Sequence, residues 1–255
     1  YRYFLEERRM YNLVDRVVCL SESTFKILTD IYKISPNKIS IIANGIRARK
    51  LKVHDIDKLR SQLFLPEREI ILLYVGRVSE QKGFFILIRA FEEALKKHSD
   101  LRLIIAGSLE EDAFKYISKK HQFIISKITF IGFISRKKLF KWYAVADIGI
   151  IPSLYEQCSY VAIEMMIQGL PIITSDGLGL RDMFQDGENS LVDKIGNPVD
   201  NYREYKTNLT DCINRLLDSK ELKEKISSNV IDTFKGKYQY YHMRRQYKNL
   251  MKELG

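Results

Sequence analysis

Two glutamates stand eight positions apart in Glu156-Gln157-Cys158-Ser159-Tyr160-Val161-Ala162-Ile163-Glu164. An ionised carboxylate only accepts hydrogen bonds, and every sugar hydroxyl has one to donate. Two glutamates in one cleft therefore suit a polyhydroxylated ligand. Glu164 is flanked by Ala162, Ile163, Met165, Met166 and Ile167, which is not the pattern of a solvated helix face. A glutamate buried there needs a partner, in the protein or in a ligand. A second group is Gly76-Arg77-Val78-Ser79-Glu80-Gln81-Lys82-Gly83, two cations five positions apart between glycines. Such a loop can grip a diphosphate, and a helix beginning after Gly83 would add free amides and the positive end of its dipole. The alternative is an exposed loop with two solvated cations, and the loop alone does not choose. It is not a P-loop, because Gly-x-x-x-x-Gly-Lys-Ser/Thr is absent.

These residues need a scaffold. The apolar run 70–75 stops at Gly76 and reads as a strand buried on both faces. Further strands are expected at 101–106, 128–131, 147–151, 171–174 and 190–192. Helices are expected at 84–98, 110–122, 136–146 and 160–168. Strands alternating with helices of this length predict a parallel sheet with right-handed crossovers. The expected fold class is α/β, a Rossmann-like doubly wound sheet over residues 46–235. Its ligands would sit outside the carboxyl ends of the strands, at the loops after Val75, Ala106, Ile131, Ile151 and Thr174.

The first 45 residues read as helix (1–13), strand (16–20), helix (21–34) and strand (39–43), closed by Asn44-Gly45 as a turn. That is the pattern expected of the tail of another α/β domain. Residues 236–255, after a break at Gly236, form a basic helix expected to return toward it. Asp55-x-Asp57 precedes a helix at 58–64 and reads as its cap and first-turn charge.

The 255 residues are 45% hydrophobic and 29% charged, which excludes bulk disorder. No apolar run reaches the roughly 20 residues of a membrane-spanning helix. Cys19, Cys158 and Cys212 are odd in number and far apart, which excludes a disulfide framework and fits a reducing compartment. The four histidines make no metal-binding cluster with the cysteines. The net charge of +10 calls for an anionic partner: nucleic acid, membrane surface or a phosphate-bearing small molecule. Its denser patches are Arg47, Arg49, Lys50 and Lys52, and Lys235, Lys237, Arg244, Arg245, Lys248 and Lys252. No basic motif interleaved with aromatics points to nucleic acid.

A longer set of strings runs in order along the chain: Asn44-Gly45-Ile46, Tyr74-Val75-Gly76-Arg77 with Lys82-Gly83, Ile105-Ala106-Gly107, Ile131-Gly132-Phe133, Tyr143-Ala144-Val145-Ala146-Asp147, Pro152-Ser153-Leu154-Tyr155-Glu156, Glu164-Met165-Met166, Gly169-Leu170-Pro171 and Asp186-Gly187-Glu188-Asn189. In order and spacing this resembles the C-terminal, donor-binding half of the GT-B-fold retaining glycosyltransferases of family 4. The resemblance implies roles. Arg77 and Lys82 would hold the donor diphosphate as leaving group, beside Gly76. Glu156 would contact hydroxyls of the donor sugar and Glu164 the ribose. Backbone at Ser159, Tyr160 and Val161 would lie under the distal phosphate, and Gly132, Phe133 and Ile134 would flank the base. It implies no metal and no cofactor, a UDP-sugar or GDP-sugar as donor, and a glycan, lipid-linked or peptide-precursor acceptor. The expected setting is cytoplasmic, with peripheral contact to an anionic membrane.

The chain departs from the family at Gln157-Cys158-Ser159, where Pro-Phe-Gly is common, and over 176–182, where Gly-Gly-x-x-Glu is usual. Almost none of the acceptor-binding N-terminal domain is expected within it, so the chain alone should transfer sugar poorly. Rival expectations are a sugar-nucleotide epimerase or phosphorylase on the same scaffold, or a non-catalytic nucleotide-binding module that completes a separate chain.

Overall fold

The computed structural model describes residues 2–47, 50–108, 111–195 and 208–255; Arg49 of the first basic patch and Glu110, an expected helix start, lie outside them. The chain opens with α1 (Arg2–Leu13), β1 (Val17–Cys19), α2 (Glu22–Asp30) and β2 (Ile39–Ile41). β1 and β2 pair in parallel, Val17 against Ile39 and Cys19 against Ile41. They share a small core of Val17, Cys19, Leu28, Ile34 and Ile39. Ser21 caps α2, its hydroxyl accepting from the Thr24 amide at 3.2 Å. The helix stops at Asp30 rather than near Ile34. Lys33 takes a left-handed conformation (φ 57°), and Ile34 drops into the small core, 2% exposed.

Next come α3 (Ile56–Gln62), β3 (Ile70–Val75), α4 (Phe84–Leu95), β4 (Leu101–Ala106), α5 (Glu111–Lys120) and β5 (Ile128–Gly132). They are followed by α6 (Arg136–Val145), β6 (Ile148–Ile151), α7 (Tyr160–Gln168), β7 (Ile172–Ser175) and β8 (Leu191–Asp193). Asp55 caps α3, its side chain accepting from the Lys58 amide at 2.8 Å, so the Asp55-x-Asp57 pair does the local work expected of it. The six strands form one parallel sheet in the order β5-β4-β3-β6-β7-β8. Ile71, Leu72 and Leu73 on β3 are wholly buried, each worth about 1.5–3 kcal/mol. With helices on both faces, the central strands have no polar side to alternate with. The chain builds outward from β3 to β5, then crosses back to lay β6 on the other side of β3. The topological switch point therefore lies between β3 and β6, where such sheets bind ligands.

Two helices follow that strand–helix pattern reading left out, α8 (Leu209–Asp218) and α9 (Lys220–Thr233). α8 buries Leu209, Cys212, Ile213 and Leu216, an i, i+3, i+4, i+7 stripe, and packs on α4. The break expected at Gly236 is instead a π-helical turn, Phe234–Tyr238, that continues α9. Helical geometry lapses at Gln239, and α10 (Tyr240–Leu254) begins beyond it. There Ile46 pairs with the backbone: its N–H donates to Tyr238 at 3.0 Å and its carbonyl accepts from Tyr240 at 3.2 Å. Asn44-Gly45 is not a turn but a crossing strip against α10, and a Cβ on Gly45 would lie 2.9 Å from that of Met243. Among the described residues no helix is long and apolar enough to cross a membrane.

Candidate functional site

The loop after β3 is anchored from below. Tyr74, 2% exposed, donates its hydroxyl to the Arg77 carbonyl at 2.6 Å. Burial pushes this phenol well above its ordinary value, so it remains a donor. The loop winds through a short 3-10 turn, Glu80–Lys82, and ends at Gly83. Gly83 has φ 69°, and a Cβ there would stand 1.9 Å from the Pro152 carbonyl. Only glycine lets this loop lie directly on the loop after β6. That approach brings Lys82 Nζ to Glu156 Oε1 at 2.6 Å, with side chains 21% and 18% exposed. The pair bridges the switch point between β3 and β6.

Glu156 is supported from its far side. Its amide donates to the Leu178 carbonyl at 2.9 Å, and a Cβ on Gly179 would come within 2.1 Å of the Glu156 carbonyl. The segment 176–182, whose sequence departs from the family pattern, thus still serves as the backing of Glu156. The N-terminus of α4 offers less than expected. The Gly83 amide is bonded to Glu80 (2.8 Å) and the Phe84 amide to Ser79 (3.3 Å), because the 3-10 turn consumes them. What this loop presents to an anion is the exposed Arg77 and the Lys82 ammonium.

A cleft of about 260 Å³ opens at the carboxyl ends of β3, β4 and β5, lined by Val75, Gly76, Arg77, Ala106, Gly107, Ser108, Gly132, Phe133, Ile134 and Leu139. Phe133 is 92% exposed, a ring left bare at the rim of an otherwise apolar wall. Flat aromatic ligands stack on such a ring.

α7 supplies the remaining candidates. Ser159 caps it, accepting from the Ala162 amide at 3.3 Å. The amides of Tyr160 and Val161, in the first turn, have no intrahelical acceptor. Asn44 is tied to this helix end: its Nδ2 donates to the Cys158 carbonyl at 3.0 Å, and its Oδ1 accepts from the Tyr160 hydroxyl at 3.2 Å. Burial raises the Cys158 thiol, which leaves it protonated and a poor nucleophile. Glu164, in the second turn, is buried, and its partners lie in the protein. Arg136 Nε donates to Oε1 at 2.6 Å and the Tyr143 hydroxyl to Oε2 at 2.9 Å. Burial, with Glu164 next in effect, pushes the Tyr143 phenol up.

The structure thus gathers Gly76, Arg77, Gly132, Phe133 and Ile134 around one cleft and joins Lys82 to Glu156. It sets Ser159, Tyr160, Val161 and Glu164 on one helix. The two glutamates have separate cations, Lys82 and Arg136. Neither Arg136 nor Tyr143 was expected at the site from sequence, although Tyr143 opens one of the family-like strings. Tyr143 reads there as one more apolar helix position, and the Arg136 contact spans 28 residues, beyond any local pattern.

Residues 55–233 match the family described as Glycosyl transferases group 1, and residues 1–50 match Glycosyltransferase Family 4. An uncharacterized glycosyltransferase of Methanocaldococcus jannaschii is 27% identical over 246 residues, covering 93% of this chain and 60% of that protein. The lipopolysaccharide 1,2-N-acetylglucosaminetransferase of Salmonella typhimurium is 27% identical over 222 residues, 84% of this chain and 56% of that protein. The chain therefore spans little more than half the length of these relatives. Anabaena HepE, crystallised with UDP and glucose, superposes with a TM-score of 0.81 at 21% identity, over 98% of this chain and 67% of that one. At that identity the likeness is one of fold.

Proposed function

This chain belongs to the group 1 glycosyl transferases, and from that premise we propose that it is the donor-binding half of a retaining glycosyltransferase that uses a nucleoside diphosphate sugar. The observation that carries the reading is the Lys82–Glu156 pair at the switch point, with Arg77 in the wall of the neighbouring apolar cleft. The base would stack against Phe133 between Gly132 and Ile134, and the ribose would reach Glu164. The diphosphate would take Arg77, Lys82 and the first amides of α7. Glu156 would then be left to accept from hydroxyls of the sugar. The bond between the anomeric carbon and the diphosphate oxygen breaks, and its electron pair leaves with the diphosphate. Fixed cations and helix amides stabilise that developing charge, the role a metal plays elsewhere, so no metal or cofactor is required. Retention then has the acceptor hydroxyl attack from the leaving-group face, its proton passing to the departing diphosphate oxygen.

Bound UDP and glucose in HepE favour a UDP-sugar donor, with a GDP-sugar as the second candidate. The name of the Salmonella relative favours a glycan or lipid-linked acceptor. A cytoplasmic setting with peripheral membrane contact is consistent with the exposed Arg244, Arg245, Lys248 and Lys252 beside exposed Tyr241 and Met251 on α10.

Calorimetric titration of the chain with UDP, GDP and ADP tests the donor site. One nucleotide should bind, and Arg77→Ala should weaken it roughly 10- to 100-fold, the range for a hydrogen bond to a charged group. A folded chain that binds none of the three overturns the reading and favours a module without a donor.

A further inference from the structure

Arg136 is placed against the electrostatics of its own helix. It opens α6, whose first turn holds Arg136, Lys137 and Lys138 and no acid. Cations at a helix N-terminus oppose the dipole. A local rule broken in this way is found where a tertiary contact demands it. That contact is Glu164: the guanidinium Nε reaches Oε1 at 2.6 Å, and its Cζ lies over the Phe140 ring, 5.6 Å from the centroid. The Arg136 side chain is 52% exposed and that of Glu164 only 10%, so the arginine closes an otherwise buried carboxylate from the solvent side. Arg136 also stands beyond the Gly132–Ile134 stretch that walls the apolar cleft, with one residue between, and so links that wall to α7.

The acceptor count is specific. A carboxylate offers about four lone-pair sites. Arg136 takes one on Oε1 and Tyr143 one on Oε2, which leaves one on each oxygen. Two acceptors match in number the two vicinal hydroxyls of a ribose. Resting on the reading that Glu164 meets the donor ribose, we propose that Arg136 is a positioning residue. It fixes the Glu164 carboxylate so that its two remaining lone pairs face the ribose 2′- and 3′-hydroxyls. It then sets how strongly the site prefers a ribonucleotide and contributes little to the grip on base or diphosphate.

The experiment compares affinities for the nucleoside diphosphate that binds among UDP, GDP and ADP with those for its 2′,3′-dideoxy counterpart. Wild type should prefer the ribose form by at least about tenfold, the scale of one hydrogen bond to a charged group. Arg136→Ala should weaken the ribose form by about that factor and leave the dideoxy form unchanged, so the preference collapses. Arg136→Lys should restore only part of it, since an ammonium lacks the planar fork. If Arg136→Ala does not fold, Arg136→Gln carries the same comparison. Arginine variants that keep the full preference, or that weaken both ligands alike, overturn the proposal. A wild type without preference, or without binding to any of the three nucleotides, overturns the ribose reading of Glu164 and this proposal with it, a result visible before any variant is made.

Discussion

Glu69 shows how this protein keeps a carboxylate charged in a confined place. It precedes β3 with its side chain 13% exposed, and both oxygens are engaged by Arg102 and Lys127. Burial alone would raise its pKa, but the hydrogen bonds from Arg102 and Lys127 outweigh it and hold it below the ordinary glutamate value. A carboxylate with a lowered folded pKa stabilises fully above its unfolded value, here 4.5, and loses that contribution as pH falls through the folded one. Wild type should therefore lose thermal stability as pH drops below about 4.5, and Glu69→Gln should lose less over the same window. Melting curves from pH 6 to 3 check this; equal slopes for the two proteins would contradict it. Glu156 and Glu164 share the residue type but not the situation. Glu156 sits on a loop against a lysine that can exchange partners, whereas Glu164 is locked inside a helix by two donors.

At the scale of elements, α3 ends on a residue that its local geometry does not favour. Its C-terminus has the paired bonds of a Schellman motif, Leu65 N–H to Arg60 at 3.0 Å and Phe64 N–H to Ser61 at 3.0 Å. The left-handed position between them holds Phe64, φ 56° and 94% exposed, where glycine is usual. Phe64→Gly should therefore stabilise the chain by about 1 kcal/mol, because a β-carbon in that conformation costs about 1–2 kcal/mol. Denaturant unfolding would measure it, and a destabilised variant would show that the Phe64 ring contributes a contact of its own. α7 is the counterpart that follows its rules: a serine cap, an apolar body and Gly169 in a left-handed conformation at its end.

At the scale of the molecule, the β1–β2 unit is too small to stand by its own core, which holds five residues. It is held by the larger domain instead. The Ser23 amide donates to Asp182 at 2.8 Å, Asn44 grips the start of α7, and Arg16 reaches Glu253 on α10 at 3.3 Å. Tyr3, Met10 and Leu13 on α1 remain exposed at 83%, 66% and 75%. The chain spans about half of the proteins it resembles, and transfer needs donor and acceptor oriented in one cleft. Supplied with a bound sugar nucleotide and a defined acceptor, the 255-residue chain should release product far more slowly than it binds donor. Appreciable transfer would contradict this.

Much of this was written in the sequence, for reasons that are local. Buried parallel strands must be apolar runs, so the strands and their order in the chain were legible. The ordered motifs around Arg77, Lys82, Glu156 and Glu164 named the family without any coordinates. α8 carried a helical stripe just as plainly, though strand–helix alternation did not ask for it. Other features are decided only in three dimensions. The switch point exists because β6 lies beside β3, 76 residues from Ile71 to Asp147 along the chain but joined by a hydrogen bond of 2.9 Å. Lys82 meets Glu156 because Gly83 rests on Pro152, and Glu164 is held by an arginine from another helix. Such partners are chosen by packing between distant segments, and periodicity along the chain carries no record of which segments will touch.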